Sequence, residues 1–279
     1  MSLNSTKRTP CYFVGHGSPF IVLHQHSEAH KFLQRWGKKV EQEIKPKAIV
    51  IISAHWETDD MVKVGKFEGD TPLFFEELPE PLAKETYSAK GSPELADKIV
   101  ALLTQANIKA MVDTERGYDH GAWAPLKIAI PEPKDLPAVQ ISLIRNASYE
   151  QHIRVGQALA SLRNEGILFV GSGGMVHNFE EIMKYFDFAK LDFGGEVRPY
   201  NDPFDRDIVS YLTEFKGEER DQKLINLANH PLLRQAHITD EHLVPLHVIV
   251  GTGGQDPARR IFEEKLSAMS YSAIEFYES

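Results

Sequence analysis

Four histidines in this sequence stand beside glycine or serine residues, just beyond apolar runs. His16 lies within GHGSP, His55 follows AIVIISA, His120 lies within GYDHGAW, and His177 lies within GSGGMVHN. In an open α/β sheet, the loops beyond the carboxyl ends of the strands converge on one crevice. Imidazole is a common ligand for zinc, copper, iron and nickel. The sequence therefore predicts a metal site assembled from loops at that edge of a sheet.

Each of these histidines, taken singly, could equally be a buried structural residue with satisfied hydrogen bonds. Their shared placement favours a joint role, because small neighbours let the backbone approach a ligand closely. Cys11 is the only cysteine and lies within the apolar run CYFVG, where a buried, inert thiol is expected. A site with only nitrogen and oxygen ligands suits a catalytic metal better than a closed structural zinc. No role is assigned to the other histidines, His24, His26, His30, His152, His230, His237 and His247.

Apolar, β-branched runs alternate with longer amphipathic stretches along the chain. Alternation of this kind predicts an α/β fold with a central, mostly parallel sheet flanked by helices, and the metal site at the carboxyl ends of the strands. One helix is expected to begin with Ser92 as its N-cap and Pro93 at its first position. Residues 178–270 are expected to be mostly helical, and residues 1–279 to form a single domain. Strands are expected at residues 11–15, 48–54, 61–67, 108–113, 137–144, 166–172 and 272–278.

Composition restricts the classes of partner. The 279 residues include 31 Lys+Arg against 40 Asp+Glu, a net charge of -9. Without a basic cluster, no nucleic acid is expected as a partner. The N-terminal MSLNSTKRTP lacks an apolar signal segment, and no stretch approaches the roughly 18 apolar residues of a membrane span. The single cysteine permits a reducing compartment, so we expect a cytoplasmic monomer or small homo-oligomer that binds no membrane.

Five short motifs occur in order along the chain, GHGSP, SAHW, YDHGAWAPL, VHN and TDEHLVPL. In this order and spacing they resemble the 4,5-DOPA extradiol dioxygenase family, which belongs with the LigB-type (class III) extradiol ring-cleaving enzymes. The similarity covers nearly the whole chain and includes FFEELPEPLAKETYSAKGSPELA. Each motif alone is weak, but five in register are specific. The resemblance implies one LigB-type catalytic domain over residues 1–279.

By that resemblance, His16, His55 and His242 match metal positions. His177 matches a histidine at the metal that acts as a further ligand or as an acid/base group. Glu241 is an alternative third ligand, because non-haem Fe(II) oxygenases commonly use two histidines and one carboxylate. EHLVPLHVIV reads as a buried helix with His242 at its edge, and neighbouring residues on a helix point about 100° apart. Only one of the adjacent pair is therefore expected to reach the metal, and His242 is preferred.

The resemblance also implies the reaction, in which both atoms of O2 are inserted into a DOPA-like catechol and the ring opens beside its two hydroxyls. Fe(II) is the expected active metal, and an all-histidine site also suits Zn(II). We assign His177 as the general base that takes a catechol proton. His120 matches a catalytic histidine that hydrogen-bonds the oxygen species or donates the proton that helps to break the O–O bond. Trp56, Tyr118 and Trp123 adjoin these positions and are expected either to wall the substrate ring or to pack in the core.

Two other classes of function remain open at this point. A zinc-dependent hydrolase would use metal-bound hydroxide as its nucleophile and would turn over without O2. A Memo-like, non-catalytic binding protein would share the LigB-like fold. The presence of His120 and His177 beside the metal positions favours an enzyme. DOPA, a protocatechuate-like acid and other catechols all fit as substrates at this level.

Overall fold

The computed structural model describes residues 8–74, 82–187 and 190–278. An eight-stranded sheet forms the centre of the fold, in the order β10-β13-β1-β6-β2-β5-β3-β4. Smaller sheets join β11, β12 and β7, and β8 and β9. The strands are β1 (Cys11–Gly15), β2 (Ala48–Thr58), β3 (Val62–Gly65), β4 (Ala110–Asp113), β5 (Ala138–Ile144), β6 (Ile167–Gly173), β7 (Val176–His177), β8 (Phe186–Asp187), β9 (Asp192–Phe193), β10 (Ala258–Phe262), β11 (Lys265–Leu266), β12 (Met269–Ser270) and β13 (Ala273–Phe276).

The middle of the large sheet is parallel. β1, β6, β2 and β5 are neighbours that run in the same direction. Their runs are largely apolar, and most of their residues are buried, as expected for strands covered on both faces. Towards the edges, β13 pairs antiparallel with β1, β10 with β13, and β3 with β5. The predicted α/β fold with a mostly parallel central sheet is confirmed.

The helices begin where the sequence offers caps. Ser92 accepts a hydrogen bond from the backbone N–H of Leu95, and Pro93 follows it as the first residue of a helix, as predicted. Short 3-10 turns cover Pro19–Val22, Leu82–Lys84, Ala160–Glu165 and Asn226–Asn229, and a π turn covers Val40–Ile44. The α-helices are α1 (Glu28–Lys39), α2 (Pro93–Gln105), α3 (His120–Ala129), α4 (Tyr149–Leu159), α5 (Phe179–Met183), α6 (Asn201–Glu214), α7 (Gly217–Ile225), α8 (Leu233–Ala236) and α9 (Val244–Gly253).

Two consecutive residues of β6 show that helices cover both faces of the sheet. A Cβ atom at Gly171 would meet Pro245 and Ile249 of α9. The hydroxyl of the next residue, Ser172, donates a hydrogen bond to the carbonyl of Gly121 in α3. Because successive strand residues point to opposite faces, α9 and α3 lie on opposite sides of the sheet.

One local expectation is incomplete and another is wrong. Within the predicted helical region, Ala258–Phe262 forms the edge strand β10, where Arg259 donates a hydrogen bond to Glu275 of β13. Pairing with β13 decides the structure of this short run, which has no clear alternation of its own. His120, predicted to lie in a loop, is the first residue of α3, because the side chain of Asp119 caps that helix. Among the described residues, no helix is both long enough and apolar enough to cross a membrane.

Candidate metal centre and active-site cavity

His16 directly follows β1, and a chain of hydrogen bonds fixes its ring. The hydroxyl of Ser172, on the neighbouring β6, donates to the carbonyl oxygen of Gly121 over 2.5 Å. A hydroxyl has only one proton, so Ser172 Oγ must accept the hydrogen bond that joins it to His16 Nδ1, 2.9 Å away. Nδ1 of His16 therefore carries the ring proton, and Nε2 presents a lone pair.

His55 lies within β2, two residues past Ser53, the last residue of β2 that pairs with β6. Its backbone N–H donates to the Ser53 hydroxyl oxygen. Its Nε2 atom lies 3.1 Å from Nε2 of His16. The close fit of His55 depends on Gly121, where a Cβ would come 3.0 Å from Cδ2 of His55 and still closer to the Ser53 hydroxyl. Two parallel strands thus bring two imidazole nitrogens to one point.

His242 and Glu241 occupy a turn, and α9 begins only at Val244. Nδ1 of His242 donates a hydrogen bond to Oε1 of Glu241 over 2.9 Å. The expectation that these residues point apart on a helix is wrong, because both precede the helix and their side chains meet. Because Nδ1 of His242 carries the proton, Nε2 is its lone-pair nitrogen. The backbone N–H of Gly174 donates to the His242 carbonyl and ties this turn to the end of β6.

His16, His55 and His242 form one group. Each contributes a ligand atom, and these atoms lie within 4.8 Å of one another. Burial lowers the pKa of all three rings well below the ordinary value, and neighbouring histidines lower it further. The rings are therefore neutral at pH 7, which is the form that binds a metal.

The donor set fits a divalent transition metal. Imidazole nitrogens bind such ions at about 2.0–2.1 Å, so two of them on one ion, roughly at right angles, are about 3 Å apart. The separation of 3.1 Å between the Nε2 atoms of His16 and His55 agrees with this spacing. A carboxylate that holds the remote N–H of a metal-binding histidine is also a common feature of metal sites, and Glu241 holds His242 in that way.

His177 lies beside this group, at the end of the short strand β7. Its ring stacks on that of His242, with centroids 3.5 Å apart and planes 9° apart. Together with Glu241 and His242 it forms a second group of ligand atoms within 4.8 Å. Burial and the nearby His237 lower the pKa of His177 to about 4, whereas the charge of Glu241 raises it. His177 is therefore a neutral ring at pH 7, next to a carboxylate.

His237, which has no role in the sequence analysis, supports the strand that carries His177. It is fully buried, and its Nε2 donates to the Met175 carbonyl over 2.9 Å. Its backbone forms a β-bridge with His177, whose other side pairs with Met269 of β12. Nδ2 of Asn178 adds a hydrogen bond to the Gln235 carbonyl. No short motif marks His237, because these contacts join segments that are distant in the sequence.

His120 approaches the group from the start of α3. Its ring centroid lies 3.8 Å from that of His55. The preceding residue, Asp119, is fully buried and accepts hydrogen bonds from the Ser53 hydroxyl over 2.6 Å and from Gln140 Nε2 over 2.5 Å. These bonds hold the first turn of α3, and with it His120, against β2 and β5.

A cavity of about 600 Å³ opens onto this cluster and is lined by His55, His120, His177, His242 and Glu241. Its remaining walls come mainly from the Pro19–Val22 turn, α5 and the β8–β9 pair. These walls carry apolar side chains, namely Phe20, Phe179, Ile182, Met183, Phe186 and Phe193, together with Met269 of β12. The arrangement places an apolar chamber next to a polar, histidine-lined surface.

The three aromatic residues singled out by the sequence analysis lie in the core. Trp56, Tyr118 and Trp123 are 4%, 1% and 0% exposed, and none of them lines the cavity. Trp56 follows His55 in β2, so its side chain points to the opposite face of the sheet. The Tyr118 hydroxyl donates to the Ala138 carbonyl over 2.6 Å. This placement agrees with the alternative expectation, that these three rings pack in the core, and not with a role in walling the substrate ring.

Comparison with known proteins assigns a family to this fold and site. The chain belongs to the family of the catalytic LigB subunit of aromatic ring-opening dioxygenase, whose model matches residues 10–277. The protein is a metal-dependent extradiol ring-cleaving dioxygenase, as family and relatives agree. The family match and the relatives favour neither a zinc hydrolase nor a non-catalytic binding protein.

Particular relatives match over most of their length. The chain is 35% identical over 268 residues to the 4,5-DOPA dioxygenase extradiol of Beta vulgaris, covering 95% of each chain. It is 34% identical over 255 residues to the protein of the same name from Escherichia coli strain K12, covering 91% of this chain and 89% of that one. The crystal structure of an uncharacterized protein from Escherichia coli K12 superimposes with a TM-score of 0.75 at 29% identity, covering 96% of this chain and 100% of the other.

Proposed function

We propose that this enzyme opens the ring of a catechol beside its two hydroxyls, with Fe(II) held by His16, His55 and His242. The observation that carries the proposal is the group of three neutral imidazoles, two of which, His55 and His242, line a cavity with apolar walls. Fe(II) held by these residues would supply the redox chemistry that joins O2 to the catechol. Zn(II) suits the same ligands but has no redox chemistry, so the zinc-filled protein is expected to be inactive.

We assign His177 the role of general base. Burial keeps its ring neutral at pH 7, so it can accept a proton from a catechol hydroxyl. The imidazolium formed in this way would lie near the Glu241 carboxylate, whose charge raises the pKa of His177. His177 also shares a group of potential ligand atoms with Glu241 and His242, so loss of metal in a His177 variant would make it a further ligand instead.

We assign His120 the second proton transfer. Its ring lies next to His55, whereas that of His177 stacks on His242, so the two rings adjoin different members of the metal group. One histidine would therefore take a proton from the substrate hydroxyl, and the other would hold or donate a proton as the O–O bond breaks. The start of α3 positions His120 through the buried Asp119 cap.

A small catechol and O2 are the proposed partners. The relatives are named for DOPA; a protocatechuate-like acid and other catechols are equally compatible with ring cleavage at this centre. Cytoplasmic location and a monomeric or small homo-oligomeric state stay predictions.

An oxygen electrode tests the proposed function. Protein reconstituted with Fe(II) is expected to consume one O2 per catechol and to form a yellow, ring-opened semialdehyde. The same preparation under strict anaerobiosis and the zinc-loaded protein are the controls, and neither is expected to turn over. Equal turnover without O2 would contradict a dioxygenase and favour a hydrolase.

A further inference from the structure

We propose that Arg116 is a positioning residue for ring cleavage, whose guanidinium joins the backbone of the candidate ligand His55 to the helix that begins with His120. This inference rests on the proposed function and concerns how two of its histidines are held relative to each other. Arg116 does not line the cavity onto which the histidines open, so it acts through these residues and does not touch the substrate.

His55 lies in an irregular part of β2. The pairing of β2 with β6 ends at Ser53. Its pairing with β5 shifts register after Ile52, so that residues 53–56 lie opposite the single residue Ser142. Irregular strand segments of this kind are common beside active sites, where they re-aim a side chain. The backbone groups of His55 therefore depend on side chains for the hydrogen bonds that a regular ladder would supply.

Two side chains supply those hydrogen bonds. The Ser53 hydroxyl oxygen accepts from the backbone N–H of His55 over 3.1 Å. On the other side, Nη2 of Arg116 donates to the His55 carbonyl oxygen over 2.8 Å. A hydrogen bond from a charged guanidinium is stronger than one between neutral groups. The peptide units before and after His55 are thus both fixed, the second of them by Arg116.

The same guanidinium nitrogen lies beside the cap of α3. Nη2 of Arg116 is 3.8 Å from Oδ2 of Asp119, whose carboxylate is fully buried. Asp119 caps the helix that begins with His120, and it also accepts a hydrogen bond from Ser53. A buried carboxylate is stabilised by a nearby positive charge, which Arg116 provides. These contacts form a closed ring that begins and ends at His55 and passes through Arg116.

The orientation of the guanidinium is fixed by two aromatic rings. Cζ of Arg116 lies 3.9 Å from the ring centroid of Phe74 and 5.7 Å from that of Trp56. The backbone N–H of Arg116 donates to the Asp113 carboxylate over 2.8 Å. A planar guanidinium can stack on an aromatic ring and donate along its edge at the same time, whereas a lysine ammonium cannot. The contacts of this side chain therefore require an arginine.

The ring of contacts sets the distance between two histidines with different proposed roles. The imidazole centroids of His55 and His120 are 3.8 Å apart, and Arg116 contacts the segment that carries each of them. In the proposed reaction, His120 transfers a proton beside the centre to which His55 contributes a nitrogen. A displacement of about 1 Å between groups that act together can cost about 10²-fold in rate. Loss of the guanidinium is therefore expected to affect turnover more than substrate binding.

Arg116→Ala at saturating Fe(II) tests this role. With DOPA and 4-methylcatechol as probes, we expect kcat to fall about 10²-fold, while KM and iron content stay close to those of the unmodified enzyme. Arg259→Ala is the matched control. Its guanidinium also pairs with a buried carboxylate, that of Glu275, and lies 4.8 Å from the ring centroid of Tyr277, but it belongs to the edge strand β10. We expect Arg259→Ala to keep its kcat.

Chemical rescue separates positioning from general stabilisation. Guanidinium chloride at about 20–50 mM, far below the molar concentrations that unfold proteins, is expected to raise kcat of Arg116→Ala by about tenfold. Sodium chloride at the same concentration is the control and should restore nothing. Arg116→Lys retains the positive charge but not the planar group, so we expect it to recover only part of the lost kcat. If Arg116→Ala does not fold, Arg116→Lys is compared with Arg259→Lys in the same way.

Three results would each overturn the inference: normal kcat in iron-filled Arg116→Ala, an equal loss in Arg259→Ala, or a loss that neither guanidinium nor a lysine restores. Competition between zinc-loaded protein and a chelator adds a measurement without turnover, in which Arg116→Ala is expected to hold Zn(II) about 10–100-fold more weakly. If the unmodified enzyme consumes no O2 with either catechol, the proposed function fails. Weaker zinc binding in Arg116→Ala alone would then still support the contact with His55, and unchanged binding would overturn it.

Discussion

The Nδ1 atom of His242 lies 2.9 Å from the carboxylate of Glu241, the residue directly before it in the chain. The carboxylate accepts the Nδ1 proton, which leaves Nε2 as the nitrogen with a lone pair. The sequence offers both residues as candidates for one ligand position. In the structure, His242 is the candidate ligand and Glu241 is its hydrogen-bond partner.

This hydrogen bond predicts that substitutions of His242 and of Glu241 affect metal binding differently. His242→Ala is expected to lose most bound metal. Glu241→Gln is expected to keep the metal but to bind it about 10–100-fold more weakly, because the amide oxygen can still accept from Nδ1 without the charge. Metal analysis and competition with a chelator measure both effects. Full metal content in His242→Ala with loss in Glu241→Gln would make Glu241 the ligand.

The hydrogen bond from His16 to Ser172 gives a second prediction. Ser172→Ala removes the acceptor for the Nδ1 proton of His16, so metal affinity is expected to fall about 10–100-fold. Ser142→Ala, which also removes a buried hydroxyl from the sheet, is the control. Both variants should lose stability, but an equal loss of metal affinity in the two would show that His16 does not depend on Ser172.

Gly121 gives a third prediction, which concerns close packing. In Gly121→Ala the new methyl group would meet the Ser53 hydroxyl and the His55 ring, so we expect His55 to move and metal binding to weaken. Gly65→Ala is the matched control, because the nearest atom to its Cβ would be at an ordinary contact distance of 3.5 Å. Metal titration of the two variants checks this, and normal metal affinity in Gly121→Ala would contradict the proposed role of His55.

The role assigned to His120 predicts a loss of turnover without a loss of metal. Gln can still form a hydrogen bond but cannot exchange a proton near neutral pH, so His120→Gln should lower kcat by about 10²–10⁴-fold. Iron content and catechol affinity should stay close to those of the unmodified enzyme. Lost iron would make His120 a ligand, and nearly normal turnover would leave it a structural residue.

Buried histidines outside the metal group predict acid sensitivity. Burial lowers the pKa of His152 and of His247 to about 4. Since the unfolded chain takes up these protons near pH 6.5, the stability that each contributes is complete above pH 6.5 and is lost as the pH falls towards 4. Each is expected to reduce the free energy of unfolding by roughly 2 kcal/mol between pH 6.5 and 5.

Urea unfolding of the metal-free protein at pH 7.5, 6 and 5 measures this dependence. His152→Asn should show a shallower dependence on pH than the unmodified chain, since one of the buried rings is gone. Constant stability from pH 7.5 to 5 in the unmodified chain would show that these rings do not titrate in this way.

The parallel centre of the fold was predictable because runs such as AIVIISA and GILFVGS are apolar along their whole length, which is typical of strands covered on both faces. The antiparallel directions of β3 and β13 could not be predicted, because the direction of a strand depends on the path of the chain between strands. The strand β10 lies in a region that looked helical, since its structure comes from pairing with β13.

The candidate site, like the fold, has parts that the sequence could predict and parts that it could not. The positions of His16 and His55 follow from strands that lead directly to them, so their residues and neighbours alone pointed to a site. His242 follows no strand, and only the family resemblance selected it. The support that Ser172 and His237 supply depends on contacts between distant segments, and no local pattern encodes such contacts.

The three candidate ligands enter the ribosome's exit tunnel at very different times. His16 and His242 are 226 positions apart (242 − 16), and translation at about 5–20 residues per second separates their synthesis by roughly 11–45 s. Until residue 242 emerges, a nascent chain contains two of the three candidate ligands, His16 and His55, and lacks His242. If these three histidines hold the metal, its loading follows synthesis of the C-terminal part of the chain, and a truncated translation product lacks one of the proposed ligands.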